Sequence, residues 1–317
     1  MTPEVVTLLF LDLLFFIFGS IAFFLSLEIA LYYRHDASTQ RQYRLEKKSY
    51  LGATIIKYIF AIKIPLFLFF IFTLEDISVI LPGAMCAAGV VNATDYGVAL
   101  FIVKILNLYS FAYWIVLDRE DMKRESQPYI QKKFWLFIVL YLFLIVEILL
   151  ESMMFFSLDI KSVVDCCGVI FSRSDGSYLA LLISAPKILQ LSFFYSVYLL
   201  FVLGYFTRSK WLVSLMSALF IPVALLTLIS FFGLYIYEQP THHCPFCFLS
   251  HDYNYIGYFL YIVLFLGTFW GLILGLLAFS KVDESRYFHL AFAFVTLYVL
   301  LVSSYVLLYF FENSVLL

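Results

Sequence analysis

The chain has 317 residues, of which 64% are hydrophobic and 13% charged, with a formal net charge of -2 at pH 7. A soluble domain carries about 25% charged residues, so this composition excludes a water-facing globular protein, and the absence of a basic face excludes a nucleic-acid binder. What it leaves is one integral membrane unit in contact with the lipid bilayer.

A membrane crossing needs roughly 20 mainly apolar residues, and in lipid only a helix or a closed barrel satisfies its own backbone. The apolar stretches are too continuous for barrel strands. The sequence therefore predicts an all-α polytopic transmembrane bundle of about eight spans, at residues 5–33, 51–74, 96–117, 134–156, 178–206, 211–237, 255–279 and 290–311. The first follows a segment with Glu4 and no lysine or arginine and is longer than a signal-peptide core, so it reads as a retained span.

The connections alternate in charge. Arg34, Arg41, Arg44, Lys47 and Lys48 follow span 1, Arg119, Lys123, Arg124, Lys132 and Lys133 follow span 3, and Arg208, Lys210, Lys281 and Arg286 follow spans 5 and 7. Against these fourteen, the opposite side has only Lys161 and Arg173. Because lysine and arginine accumulate in cytoplasmic loops, both termini are expected on the non-cytoplasmic face.

The three large outer loops, 75–95, 157–177 and 238–254, then hold every cysteine: Cys86, the vicinal Cys166 and Cys167, and Cys244 and Cys247. Cysteine behaves as a small hydrophobe and is at home in apolar helices, yet no predicted span contains one. The sharpest motif is His242-His243-Cys244-Pro245-Phe246-Cys247, ahead of span 7. A Cys-x-x-Cys pair suits a disulfide that is readily made and broken, and a protonated His242 or His243 would stabilise a Cys244 thiolate. A permanent loop disulfide in an oxidising compartment, or a metal site, uses the same residues. Adjacent Cys166 and Cys167 bridge each other only with strain, so they pair elsewhere, bind a soft metal, or divide the roles of attacking and resolving thiol. Cys86 lies in an apolar stretch, 82–89, that reads either as a loop folded back into the outer leaflet or as a packed thiol without chemistry. Five cysteines leave one over.

Residues 134–279 resemble the bacterial members of the vitamin K epoxide reductase family. In that family a four-helix core presents a loop with cysteines and a nearby serine, crosses twice more, and presents a Cys-Pro-x-Cys at the outer start of its fourth helix. Here span 4, the loop with Cys167-Gly168 and Ser172, spans 5 and 6, and Cys244-Pro245-Phe246-Cys247 follow that order. The likeness implies a three-span region over 1–133, a four-span redox core over 134–279 and a last span over 280–317. It implies that Cys244 and Cys247 pass electrons to a quinone, with Ser172 and Lys187 near that cofactor. Cys166 and Cys167 would exchange with a periplasmic thioredoxin-like partner, in a bacterial inner membrane with the cysteine loops periplasmic. Two features depart from the family: its loop cysteines are separated rather than adjacent, and Cys247 stands several polar residues ahead of span 7.

Ionisable groups also lie inside the spans, namely Asp12, Lys63, Lys104, Glu147, Glu151 and Lys187. Such residues face a protein interior or a watery cavity and are functional candidates. Glu147 and Glu151 are one turn apart and share a face, and pairing with Lys104 or Lys187 would offset both signs. They form either a proton-conducting network beneath the cysteine loops or a set of structural ion pairs. Glu28 and Lys57, nearer the cytoplasmic boundary, read as snorkelling side chains. Three functions follow: a quinone-linked thiol-disulfide oxidoreductase; a protein that binds or transports soft metal (Cu, Zn or Hg) through His242, His243, Cys244, Cys247, Cys166 and Cys167; or a non-catalytic subunit whose cysteines hold loops.

Overall fold

The computed structural model describes residues 2–34, 39–124, 127–159, 163–164, 185–240, 242–277 and 285–317. Cys166, Cys167 and Ser172 lie outside the described residues. Among those described, eight helices are long and apolar enough to cross a membrane, and no strand is present. Their outward faces are aliphatic and aromatic: Phe10, Leu13, Ile17 and Phe24 of the first helix are exposed, while Asp12 on the same helix is buried. Apolar groups outside and a charge inside is the distribution of a protein solvated by lipid, and the protein is an integral membrane protein.

The chain divides into two compact units, 1–164 and 165–317. In the first, α1 (Pro3–Tyr32), α2 (Gln40–Ser78), α4 (Gly97–Met122) and α5 (Ile130–Ser157) form a closed ring in which α1 packs on α2 and α5, and α4 on the same two. The six-residue α3 (Ala87–Asn92) wedges between α2 and α4 at one end. Span 4 of the sequence, where the resemblance begins its redox core, is α5 and packs here with α1 and α4.

At 39 residues, α2 is much longer than the span at 51–74. Thr39 caps its start by accepting from the Gln42 amide at 3.2 Å, and no glycine or proline interrupts 40–51, so the basic stretch assigned to a loop continues the helix. Arg41 packs over the Tyr32 ring and Lys48 pairs with Glu28, both at the surface.

In the second unit, α6 (Lys187–Phe206), α7 (Lys210–Thr227), α9 (Ile256–Leu276) and α10 (Ser285–Asn313) pack in sequence, α6 on α7, α7 on α9 and α9 on α10. A π-helical turn, Leu228–Phe232, carries α7 into the short α8 (Gly233–Tyr237). Gly271 and Gly275 line the seam of α9 against α7, and Gly267 its contact with α10. A Cβ at Gly271 would stand 1.9 Å from Ser217 Oγ on α7, and one at Gly267 2.8 Å from the Val295 amide of α10. The side chain that glycine lacks is the space the neighbouring helices use, which is how helices approach closely in lipid.

Candidate functional site

The Cys-x-x-Cys loop leaves α8 through Glu238 in the left-handed region and returns to α9 through Asn254 and Tyr255, also left-handed. Between them, Cys247–Leu249 and His251–Tyr253 form two 3-10 turns. Cys244 and Cys247 are both buried, their Sγ atoms lie within 4.8 Å of each other, and they are not bridged to one another.

Hydroxyl groups hold the loop's carbonyls one after another. Tyr237 of α8 donates to the Cys244 carbonyl, Tyr261 of α9 to the Pro245 carbonyl at 2.5 Å, and Ser250 to the Cys247 carbonyl at 2.9 Å. Phe248 stacks on the Tyr237 ring at 4.3 Å, and its backbone presses against Gly257, where a Cβ would meet it at under 3 Å. The neighbouring Tyr253 phenol is pushed above its ordinary range, first by burial and then by Cys247 and Asp252.

His243, also buried, brings Nδ1 to 2.9 Å from the Ile229 carbonyl. A carbonyl only accepts, so Nδ1 carries the hydrogen, and in the neutral ring Nε2 is the basic nitrogen. Ile229 belongs to the π turn, where the repeat of the ladder is broken and a carbonyl is offered to a side chain. His242 packs edge-on against Tyr237 at 4.3 Å.

No protein-family model, no curated protein and no solved structure matches this chain. The chemistry is therefore read from the side chains themselves.

Of the other residues singled out in the sequence, Cys86 is buried immediately ahead of α3, where Glu75 accepts from the Ala87 amide at 3.0 Å. Gly83 precedes it at φ 88°, with its Cα hydrogen side against the Val164 carbonyl. Lys187, predicted well within span 5, is instead the first residue of α6.

The intramembrane charges of the first unit meet at its centre. Lys63 Nζ reaches Asp12 Oδ1 at 2.6 Å and Glu147 Oε1 at 3.0 Å; Lys104 Nζ reaches Glu147 Oε1 at 3.0 Å and Glu151 Oε2 at 2.7 Å. Asn107 donates to Glu147 Oε2 at 2.6 Å. All five ionisable side chains are at most 5% exposed. Each would cost about 2.5–3.5 kcal/mol alone at mid-membrane, and alternation of sign along the chain offsets that cost. A cavity of about 10 Å³, room for roughly one water, opens beside Lys63, Lys104, Asn107 and Glu147.

A second charged layer went unread in the sequence. Lys133, counted with the cytoplasmic loop, is buried on the first turn of α5 and pairs with Asp118 at 2.8 Å and Asp121 at 2.9 Å. Its carbonyl accepts from Trp114 Nε1, and Asp121 also accepts from the Tyr129 amide. The available signal was the spacing of Asp118 and Asp121, three apart on one helical face. A cavity of about 370 Å³ lined by Tyr33, Glu46, Ser49, Tyr50 and Lys133 adjoins this layer.

Proposed function

We propose that this protein is a membrane thiol-disulfide oxidoreductase in which Cys244 and Cys247 are the redox pair. One observation carries the reading: two cysteine sulfurs within 4.8 Å occupy a buried loop whose carbonyls at 244, 245 and 247 are each held by a hydroxyl. Such a loop keeps its shape whether the sulfurs are bonded or not, which is what a pair that cycles between the two states needs.

Burial restricts the reaction partners. A folded protein cannot bring its own sulfur to Cys244 or Cys247, whereas a small lipid-soluble oxidant or a thiol of the chain itself can. Oxidation of the pair forms the Cys244–Cys247 disulfide and releases two electrons and two protons, which a quinone takes up as it becomes the hydroquinone. The disulfide is then reduced by thiol exchange: an attacking thiolate forms a mixed disulfide and a second thiol resolves it. By the likeness to vitamin K epoxide reductases, Cys166 and Cys167 are the relay thiols and a periplasmic thioredoxin-like protein is the outer partner. Net, a partner dithiol and a quinone become a partner disulfide and a hydroquinone. His242 and His243, next to Cys244 in the chain, are the bases this reading assigns to accept a thiol proton, His243 through Nε2 because Nδ1 faces the Ile229 carbonyl.

Alkylation trapping of the full-length protein in intact membranes tests this reading. Cys244 and Cys247 are expected to be bridged when quinone is supplied and alkylated as thiols when it is depleted, and the Cys247→Ser variant is expected to lose the bridge. A single redox state whatever the quinone supply refutes it. Elemental analysis of the same reduced samples separates the soft-metal reading, in which Cu, Zn or Hg would co-purify with the wild type and be lost from the variant.

A further inference from the structure

We infer that the buried charge cluster of the first unit holds one exchangeable proton, carried by its two terminal carboxylates, Asp12 and Glu151. The inference rests on the geometry of this unit alone and is independent of the thiol chemistry proposed above.

The ion pairs form an open chain in the order Asp12, Lys63, Glu147, Lys104, Glu151. Three carboxylates alternate with two ammonium groups, so the fully ionised cluster has a net charge of −1. An uncompensated charge in a medium this apolar is neutralised by taking up a proton rather than tolerated. Among the described residues, the elements packed around the cluster bring no further cation into it: α1 contributes Asp12, α2 Lys63, α4 Lys104 and Asn107, α5 Glu147 and Glu151, and α3 nothing ionisable. Glu75 and Asp76 stand near the end of α2 and are at least partly exposed, and Glu4, in the first turn of α1, stands about two turns from Asp12 and carries no positive charge to the cluster.

The hydrogen bonds show where the proton belongs. Glu147 has both oxygens engaged, Oε1 by the two lysines and Oε2 by Asn107, and is the carboxylate best held ionised. Asp12 Oδ2 and Glu151 Oε1, by contrast, are buried and have no hydrogen-bond partner. Each terminal carboxylate therefore has one oxygen paired with a lysine and one bare. Protonating a bare oxygen removes the excess charge without disturbing any of the four ion pairs. The two ends are chemically alike, so one proton has two sites to occupy.

A metal cation fits less well. Hard cations take a shell of about six or more oxygens, whereas only two carboxylate oxygens of the cluster, Asp12 Oδ2 and Glu151 Oε1, are not already held by a lysine or Asn107. The water-sized cavity lies beside Lys63, Lys104, Asn107 and Glu147, one ion pair away from each of the two terminal carboxylates. The first unit is thus a proton-binding site within the membrane, the element a proton-coupled process requires.

Infrared spectroscopy of the full-length protein in lipid nanodiscs tests the inference. Wild type is expected to show the carbonyl band of one buried, protonated carboxylic acid that shifts in heavy water. Asp12→Asn and Glu151→Gln each leave two carboxylates against two lysines, so each single variant is expected to lose this band, while Asp121→Asn, which removes the excess carboxylate of the Lys133 layer, and Glu28→Gln, outside both layers, keep it. Absence of the band in wild type, a measurement that needs no variant, overturns the inference. So does survival of the band in either Asp12→Asn or Glu151→Gln, or its loss when sodium replaces choline in the buffer, which would make a cation the neutralising charge.

Discussion

Among single residues, Glu147 is the junction of the buried charge cluster, since both lysines and Asn107 converge on it. Removing one partner of a buried ion pair leaves the other uncompensated and costs about 3–5 kcal/mol. Glu147→Gln is therefore expected to lower stability by about 3 kcal/mol or more, seen as a lower midpoint on denaturant titration in micelles. Asp12→Asn and Glu151→Gln each weaken one end of the chain and are expected to cost about 1 kcal/mol. Equal losses at all three positions would contradict the assigned pattern. At the thiol loop, Tyr261→Phe removes the donor to the Pro245 carbonyl, a loss of about 1–3 kcal/mol for a buried acceptor; the expected consequence is faster alkylation of Cys244, because the loop opens more often. Sequence made Glu147, Glu151 and Lys104 legible, since a charge inside an apolar run has few harmless explanations. It did not reveal Tyr237 or Tyr261, two among 24 tyrosines whose acceptors are backbone carbonyls that no side-chain pattern records.

The helices show where periodicity informs and where it fails. All eight spans were legible because lipid demands long apolar runs, and their ends were not, because a capped polar helix such as 40–50 reads as a loop when only hydropathy is followed. In the first unit the helices stack their interior in layers. The Asp12–Glu151 cluster is followed, about one to three turns along α2, α4 and α5, by Phe60, Phe111, Trp114, Phe137 and Tyr141, and then by Lys133 with Asp118 and Asp121. Phe60 and Phe111 stack at 4.1 Å, and the hydroxyl in this layer, on Tyr141, is bonded to Ser20 at 2.7 Å. The aromatic layer separates two charged ones. In the second unit the glycine seam of α9 is the corresponding device. A Cβ at Gly271 would lie 2.7 Å from Ser217 Cβ as well as 1.9 Å from its Oγ, so Gly271→Ala forces α7 and α9 apart. Overpacking of this kind costs about 1–3 kcal/mol. Gly271→Ala is expected to lower the thermal midpoint, and Ser217→Gly in the same chain is expected to recover most of it; a Gly271→Ala protein as stable as wild type would show that the seam is loose.

At the scale of the whole chain, the split into 1–164 and 165–317 separates two kinds of interior. The first unit pairs its own charges, closes its own ring of four long helices and packs its own aromatic core around Phe60, Trp114 and Phe137. The second unit has few buried polar groups among its described residues, chiefly the Ser230–Gln190 hydrogen bond at 2.6 Å, and relies on close helix contact. The structure groups helices by what they bury, and α5 buries Glu147 and Glu151 against lysines of α2 and α4. Side-chain complementarity between distant spans decides that grouping, and one sequence read alone does not display it. If the first unit is self-sufficient in this sense, residues 1–164 produced alone should insert in membranes, resist protease in micelles and unfold in one cooperative step. Glu147→Gln should then lower the midpoint of that fragment by as much as it lowers that of the full chain, since every partner of Glu147 named above lies within 1–164. A fragment that is degraded, or in which Glu147→Gln has no effect, would mean that the cluster needs the second unit to assemble.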